Sequence, residues 1–133
     1  MIFLARNYNN SQDNETLYTA TFPCTVVGVK WSLTPMPGAN TFYGAMYIVH
    51  AEDGQTAGTC SVTNGAKAFT PEQNVMASMS FAYLTGTTDP ANLVGEVKTK
   101  RKLKVGDGIV LSGLTSTATE TPVYGWVQFF VMT

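Results

Sequence analysis

The sequence predicts an all-β domain, an eight-stranded antiparallel jelly roll in which two sheets pack as a β-sandwich with Greek-key connections. Three observations predict this fold. Segments of strand length with alternating or β-rich composition recur about eight times along the chain. No segment has the periodicity of a long helix. Several connections are longer than hairpin turns, which favours Greek-key connections over a meander. An immunoglobulin-type sandwich is the alternative, but the cysteine–tryptophan spacing of that family is missing.

Composition limits the kind of protein this is. The chain has 133 residues, of which 44% are hydrophobic, so one domain with a substantial core is expected. Only 13% of the residues are charged and the net charge is −1. Such a low charge content indicates a surface that is covered by other subunits. The near-neutral balance also means that any attraction for nucleic acid must be local.

The first strands follow a polar beginning. Residues 1–16 are rich in Asn, and we predict an extended or flexible arm there, with the folded domain spanning residues 17–133. The apolar run Ile2–Ala5 is too short for a signal-peptide core, and no run reaches the roughly 20 residues of a membrane span, so no membrane partner is expected. Leu17–Phe22 and Thr25–Leu33 are predicted strands, separated by Pro23.

The middle and end of the chain continue the β pattern. We predict strands at Thr41–His50, near Cys60–Thr63, at Asn74–Leu84 and at Pro122–Met132. A helix is the competing interpretation for the Ala- and Met-rich Asn74–Leu84, and Thr70–Gln73 has the residues of a one-turn helix start. The connecting loops are predicted at Thr34–Asn40, Gln55–Lys67, Thr85–Asn92 and Thr115–Thr121. The final strand is apolar on both faces, with Tyr124, Trp126, Phe130 and Met132 on one of them, so it is central in its sheet or covered by another chain.

The most distinctive stretch is Gly95–Leu111. The chain has 8 Lys and Arg residues, and more than half of them lie in this stretch, at Lys98, Lys100, Arg101, Lys102 and Lys104. As a strand, it places the four lysines on one face, with Arg101 on the opposite face among apolar neighbours. Gly106-Asp107-Gly108 then predicts a tight turn, so that residues 94–114 form a basic hairpin.

Two interpretations of the lysine face remain open. It contacts a polyanion such as a phosphate backbone or an anionic glycan, or it is a solvated edge strand that lysine keeps from aggregating. Arg101 is expected to pair with a carboxylate or to reach an interface, because an unpaired buried guanidinium is very costly.

Signals for other chemistry are weak. His50 is the single histidine, so a multi-histidine metal site is excluded, and neither a nucleophile elbow nor a phosphate-binding glycine loop is present. We therefore predict no catalytic site, no metal site and no cofactor. Cys24 and Cys60 are predicted to be free buried thiols, with one disulfide as the alternative. Aromatic residues that could stack on bases or sugars, but that more often fill a core or a subunit interface, are Tyr8, Tyr18, Phe42, Tyr43, Tyr47 and Tyr124.

Four stretches resemble the capsid proteins of small circular, Rep-encoding single-stranded DNA viruses. They are Thr19–Leu33, Phe69–Met76, Lys98–Leu103 with its Gly106-Asp107 turn, and Val127–Phe130, and together they run from about residue 16 to the C-terminus. The Leu103–Leu111 element is also similar to a hairpin of the C1q-like and tumour-necrosis-factor-like jelly rolls.

The resemblance implies a single jelly roll that self-assembles, in about 60 copies, into a small icosahedral virion shell around circular single-stranded DNA. By position, Lys98, Lys100, Arg101, Lys102 and Lys104 would contact the genome on the inner surface. Proteins of that family usually begin with a basic arm, whereas residues 1–16 contain only Arg6. A trimeric C1q-like or phage-fibre binding module and a carbohydrate-binding jelly roll are the alternatives. The sequence indicates neither the host nor a receptor.

Overall fold

The computed structural model describes residues 1–35, 41–62, 75–82 and 93–133, and for 75–82 and residue 93 it describes the backbone only. The described chain forms eight strands and two 3-10 helices, Ala51–Asp53 and Ala57–Thr59. The strands are β1 (Ile2–Tyr8), β2 (Asp13–Thr19), β3 (Cys24–Pro35), β4 (Thr41–Val49), β5 (Val75–Ala82), β6 (Leu93–Leu103), β7 (Gly108–Thr115) and β8 (Thr121–Met132). The expected helix start Thr70–Gln73 and the loop Thr85–Asn92 lie outside the described residues. Within them, no helix is long and apolar enough to cross a membrane.

The strands form two four-stranded sheets. The first sheet has the order β1-β8-β3-β6, and the second has the order β2-β7-β4-β5. Every pairing is antiparallel. The predicted all-β class and the two-sheet sandwich are therefore confirmed, and β8 is central in its sheet, as its two apolar faces predicted.

The core lies between the two sheets and is built largely from alternate residues of the strands whose side chains are described. It includes Leu4, Val26, Val29, Leu33, Phe42, Ile48, Ile109, Leu111, Val123 and Val127, all buried. The period-2 alternation of these strands produces this arrangement, because it sends every second side chain to the same face. Tyr8 and Phe42 meet edge to face within it, with their ring centroids 5.0 Å apart.

The first 16 residues differ from the expected arm. They contain β1, which pairs with β8, and the first part of β2, which pairs with β7. β2 begins at Asp13, earlier than the predicted Leu17. The polar composition hid these strands because their charges are matched locally: the Arg6 guanidinium contacts the carboxylates of Asp13 at 2.5 Å and Glu15 at 3.1 Å. Leu4 and Tyr8 then alternate into the core.

The expected basic hairpin is wrong, because β6 and β7 belong to different sheets. The turn between them is present: Asp107 N–H donates to the Lys104 carbonyl at 3.0 Å, and Gly106 has a positive φ of 94° that suits glycine. However, the turn bonds to the β2–β3 connection instead of closing a ladder. Gly106 N–H donates to the Ala20 carbonyl at 2.9 Å, and Ala20 N–H donates to the Asp107 carbonyl at 2.8 Å.

Part of the outer face of the second sheet is covered by residues 51–62 of the same chain. Val110, Ala45 and Tyr47 form a small buried cluster with Cys60. The Tyr47 hydroxyl donates to the Ser61 carbonyl, and the Asn14 side chain donates to the Ala57 carbonyl at 2.7 Å. Residues 60–62 are not a strand, contrary to the expectation for Cys60–Thr63, because side chains of other segments satisfy this backbone. Both cysteines are free and buried, as predicted.

Candidate nucleic-acid interface

The predicted lysine face exists on β6, an edge strand of the first sheet. Lys98, Lys100 and Lys102 are exposed, whereas Val97, Thr99 and Arg101 between them are partly buried. The strand alternation predicted for this stretch is thus confirmed. The three lysines stand on the outer face of the first sheet, away from the core, and we call them the lysine row.

The other two predicted residues lie elsewhere. Arg101 is on the core side of β6, paired in register with buried Val26. Lys104 lies beyond the end of β6, and its ammonium group contacts the Glu52 carboxylate. The hydrogen bond and the charge of Glu52 raise the pKa of Lys104. The structure therefore brings three of the five predicted residues onto one surface, and it separates Arg101 and Lys104 from them.

The outer face of the first sheet also carries aromatic side chains. Strand register aligns Phe3 with Trp126, Trp126 with Ser32, and Ser32 with Val94 in one row across all four strands. Phe3 is 78% exposed, and Tyr124, two residues from Trp126 on the same face of β8, is 48% exposed. Residues that face each other on paired strands have Cβ atoms about 5 Å apart, so this row is a continuous surface.

A second row joins the aromatic residues to the lysine row. Phe130 is paired with Gly28, and Gly28 is paired with Lys98. Because Gly28 has no side chain, the Phe130 ring lies over it: a Cβ at position 28 would be 3.5 Å from the ring. Lys30 on the same face places its ammonium group 5.6 Å from the centre of the Phe130 ring, within cation–π range.

We call the outward side chains of these strands the aromatic–lysine face. Its aromatic members are Phe3, Tyr124, Trp126 and Phe130, and its basic members are Lys30, Lys98, Lys100 and Lys102. Glu96 is the one acidic residue at the outward positions of the described strands of this sheet. The face is therefore distinctly positive, although the whole chain carries a net charge of −1.

Sequence reasoning found only half of this face. The aromatic residues considered for stacking included Tyr8, Phe42 and Tyr47, each 1% exposed in the structure, and these are core residues. Phe3, Trp126 and Phe130 were not singled out as ligand-contacting residues. Alternation in the last strand did group Tyr124, Trp126, Phe130 and Met132 on one face. The strand order, which the sequence does not reveal, places Phe130 and Met132 of that group level with the lysine row, and Trp126 level with Val94.

A second group of charged residues surrounds the β6–β7 turn. A shallow depression of about 300 Å³ is lined by His50, Glu52, Asp53, Lys102, Lys104 and Asp107. Asp107 is 1% exposed, and its carboxylate accepts hydrogen bonds from the Lys104 N–H, the Ala51 N–H and the His50 ring. Among the described residues, no group of three or more histidine, cysteine or acidic side chains could hold a metal ion.

A third surface is apolar and lies at the end of the sandwich where the β2–β3 and β6–β7 connections meet. Phe22 and Val105 belong to these two connections and are 42% and 61% exposed. Val131 and Met132 end β8 beside Val26 and Thr25 of β3, and they are also exposed. We call Phe22, Val105, Val131 and Met132 the apolar rim. Met132 joins this rim to the outer face of the first sheet, because its partner Thr25 is also the partner of Lys102.

Comparison with known proteins gives only distant likenesses. No protein-family profile and no curated protein matches the chain. Two solved structures that resemble it are of infectious bursal disease virus. The Gx-strain structure has a TM-score of 0.49 and 10% identity, covering 98% of this chain and 29% of that one. The Gt-strain structure has a TM-score of 0.42 and 11% identity, covering 97% of this chain and 30% of that one. The chain thus spans less than a third of either, and likenesses this distant carry no argument about function.

Proposed function

We propose that this chain is a viral capsid protein and forms part of the virion. Copies of it assemble into a closed icosahedral shell around single-stranded DNA. The observation that carries the proposal is the apolar rim. Large apolar side chains are exposed together at one end of a chain in which only 13% of the residues are charged. Clustered exposed apolar residues mark protein–protein contacts, and the low net charge lets identical copies pack without strong repulsion. We assign the chain a structural role, not a catalytic one.

The strand order supports a jelly roll as the building block. β1 pairs with β8, β2 with β7, β3 with β6 and β4 with β5. These are the pairings that form when one long two-stranded antiparallel ribbon of a single chain folds over into two sheets. The bond from Thr115 N–H to the Asn9 carbonyl, at 2.8 Å, continues the ribbon between its first and second pairs, and the Ala20–Asp107 bond continues it between its second and third pairs.

The aromatic–lysine face supports the enclosed nucleic acid. Its lysines are exposed, and phosphate contacts of Lys supply most of the affinity of non-specific binding to nucleic acid. Arg6 is held by Asp13 and Glu15, so it is not available to a phosphate group. The lysine row is therefore the genome contact that we propose.

The proposal is tested by light scattering behind size-exclusion chromatography, with the ratio of absorbance at 260 and 280 nm read across the same peak. A megadalton-scale peak with a raised ratio is expected. A monomer at high concentration would overturn the proposal. A trimer-sized peak would replace it with the binding-module alternative.

Variants of the rim sharpen this test. Val105→Ser with Phe22→Ser should shift the particle to dissociated subunits with an unchanged circular dichroism spectrum, since both side chains are already exposed in the subunit. The matched control is Val94→Ser, which removes an exposed apolar side chain that lies on the aromatic–lysine face instead. Shells that persist in the rim variant would show that copies meet through another surface.

A further inference from the structure

The aromatic and basic side chains of the first sheet share one face. We infer that the aromatic–lysine face is a stacking platform for unpaired bases, with Phe130, Trp126 and Tyr124 as the stacking residues and the lysine row as the phosphate contact. This inference rests on the proposed function, because it specifies how the enclosed strand is recognised. It also names the chemical class: single-stranded nucleic acid, in preference to a duplex.

The argument begins with the arrangement of the two rows. Tyr124, Trp126 and Phe130 project from one face of β8, at intervals of two and four residues, so they are spaced about 7 and 13 Å apart. The lysine row projects from β6, which lies two strands away at roughly 10 Å. Both strands are antiparallel to β3, and the register places Phe130 level with Lys98 and Trp126 level with Val94. The lysine row therefore continues from the Phe130 end of the aromatic row. A strand that crosses the sheet obliquely could place its bases on the rings and its phosphates on the lysines.

The side chains that lie between the two rows support the same assignment. The residues between the two rows are Gly28, Lys30 and Ser32 of β3, which are small except for Lys30. The Lys30 ammonium group lies over the Phe130 ring, 5.6 Å from its centre, so a base that stacks there displaces this side chain, whose charge then contacts the phosphate. A base has a π-face whatever its identity, so this arrangement predicts binding that tolerates any sequence.

The platform distinguishes single strands from duplexes because the bases of a duplex are already stacked on each other. A duplex can use only the lysines, whereas a single strand uses the lysines and the rings. A contact between two copies of this chain is the competing occupant of the face. It is disfavoured because the outward positions hold four lysines against Glu96 alone, and such a face would repel a second copy of itself.

The test measures binding of the full chain, diluted until light scattering detects no shell, to fluorescent oligo(dT), oligo(rU) and a DNA duplex of the same length. The variants are Phe130→Leu and Tyr124→Leu, which keep an apolar side chain but remove the ring. Each should weaken binding to the single strands roughly tenfold and leave duplex binding unchanged. Quenching of Trp126 fluorescence by the single strands, but not by the duplex, is the accompanying signature. Val94→Leu, a change at an outward position without a ring, is the control.

The outcomes separate this inference from the proposed function. Leucine variants that bind every probe as the parent does would overturn the platform, and binding of the duplex as tight as that of the single strands would do the same. Leucine variants that lose assembly while oligonucleotide binding is unchanged would assign the face to a contact between copies and overturn the inference. Stacking variants that behave as expected in a protein that never forms a shell would support the platform and overturn the capsid assignment.

Discussion

The ring of His50 lies 2.9 Å from a carboxylate oxygen of Asp107, 57 residues away in the chain. This contact joins the end of β4 to the turn between β6 and β7, and so it ties the second sheet to the connection that leads from the first. The same carboxylate accepts the backbone N–H groups of Ala51 at 3.1 Å and Lys104 at 2.9 Å. Asp107 is therefore the centre of a three-way junction and not simply a turn residue.

The Asp107 junction predicts acid sensitivity. Burial by itself would raise the pKa of Asp107, but the hydrogen bonds from Lys104, His50 and Ala51 outweigh it and lower the pKa below its usual value. A lowered pKa in the folded state means that the ionised group stabilises the fold above its unfolded pKa of about 4. This stabilisation is lost as the pH falls through the lower pKa of the folded state.

The measurement is the free energy of unfolding in urea, taken on dissociated subunits across the range from about pH 6 to pH 2. Asp107→Asn should lower stability at neutral pH and flatten the decline at the acid end. The exposed Asp53→Asn is the charge-matched control, and we expect it to keep the decline. An unchanged acid decline in Asp107→Asn would show that other carboxylates cause it.

The buried hydroxyl of Tyr8 can be removed without loss of stability. Its hydroxyl is buried without a hydrogen-bond partner among the described residues, and burial raises the pKa of the phenol. Removing an unsatisfied buried hydroxyl removes a desolvation penalty. Tyr8→Phe should therefore leave the free energy of unfolding unchanged or raise it, as urea unfolding would measure.

Phe42, which packs against Tyr8, provides a destabilising variant for comparison. Phe42→Ala removes a ring that packs edge to face against Tyr8 and should cost about 3–5 kcal/mol. A Tyr8→Phe variant destabilised by a similar amount would mean that the hydroxyl has a partner in the folded protein.

A side chain at position 95 would disturb the core. A Cβ at this position would overlap the indole of Trp31, whose ring lies directly over the glycine. Trp31 is buried, so it cannot move aside without disturbing the packing around it. Gly95→Ala should therefore destabilise the protein by about 1–3 kcal/mol. Near-ultraviolet circular dichroism, which reports on the tryptophan environment, would reveal the displaced ring. A parent-like spectrum and stability would contradict this placement of Trp31.

The sequence predicted the strands better than it predicted their neighbours. Alternation in 97–103 and in the last strand indicated correctly which side chains share a face, because that property depends only on the local period of two. It could not show that β6 and β7 join different sheets. In the fold, the turn between them bonds to the backbone of Ala20 in the β2–β3 connection, 86 residues before Gly106.

The missed strand at the N-terminus has a related physical cause. Asp13 and Glu15 have low strand propensity, which their contacts with Arg6 of β1, in the opposite sheet, and their pairing with β7 compensate. The candidate site was half predicted for the same reason. The lysine row is contiguous in sequence, whereas the aromatic residues beside it come from β1 and β8, at opposite ends of the chain.

The different surroundings of the lysines predict different effects on nucleic-acid binding. Lys98 and Lys100 are exposed on the aromatic–lysine face, whereas the Lys104 ammonium group is held by Glu52. Lys98→Gln and Lys100→Gln should each weaken binding to all nucleic-acid probes alike and reduce the salt dependence of log K by about one. Lys104→Gln removes the same charge and should have a much smaller effect. Binding isotherms at several salt concentrations measure both quantities, and thermal unfolding checks that each variant is folded. An equal loss in all three variants would mean that the phosphates follow the whole basic segment, including the turn, and not the outer face of the first sheet.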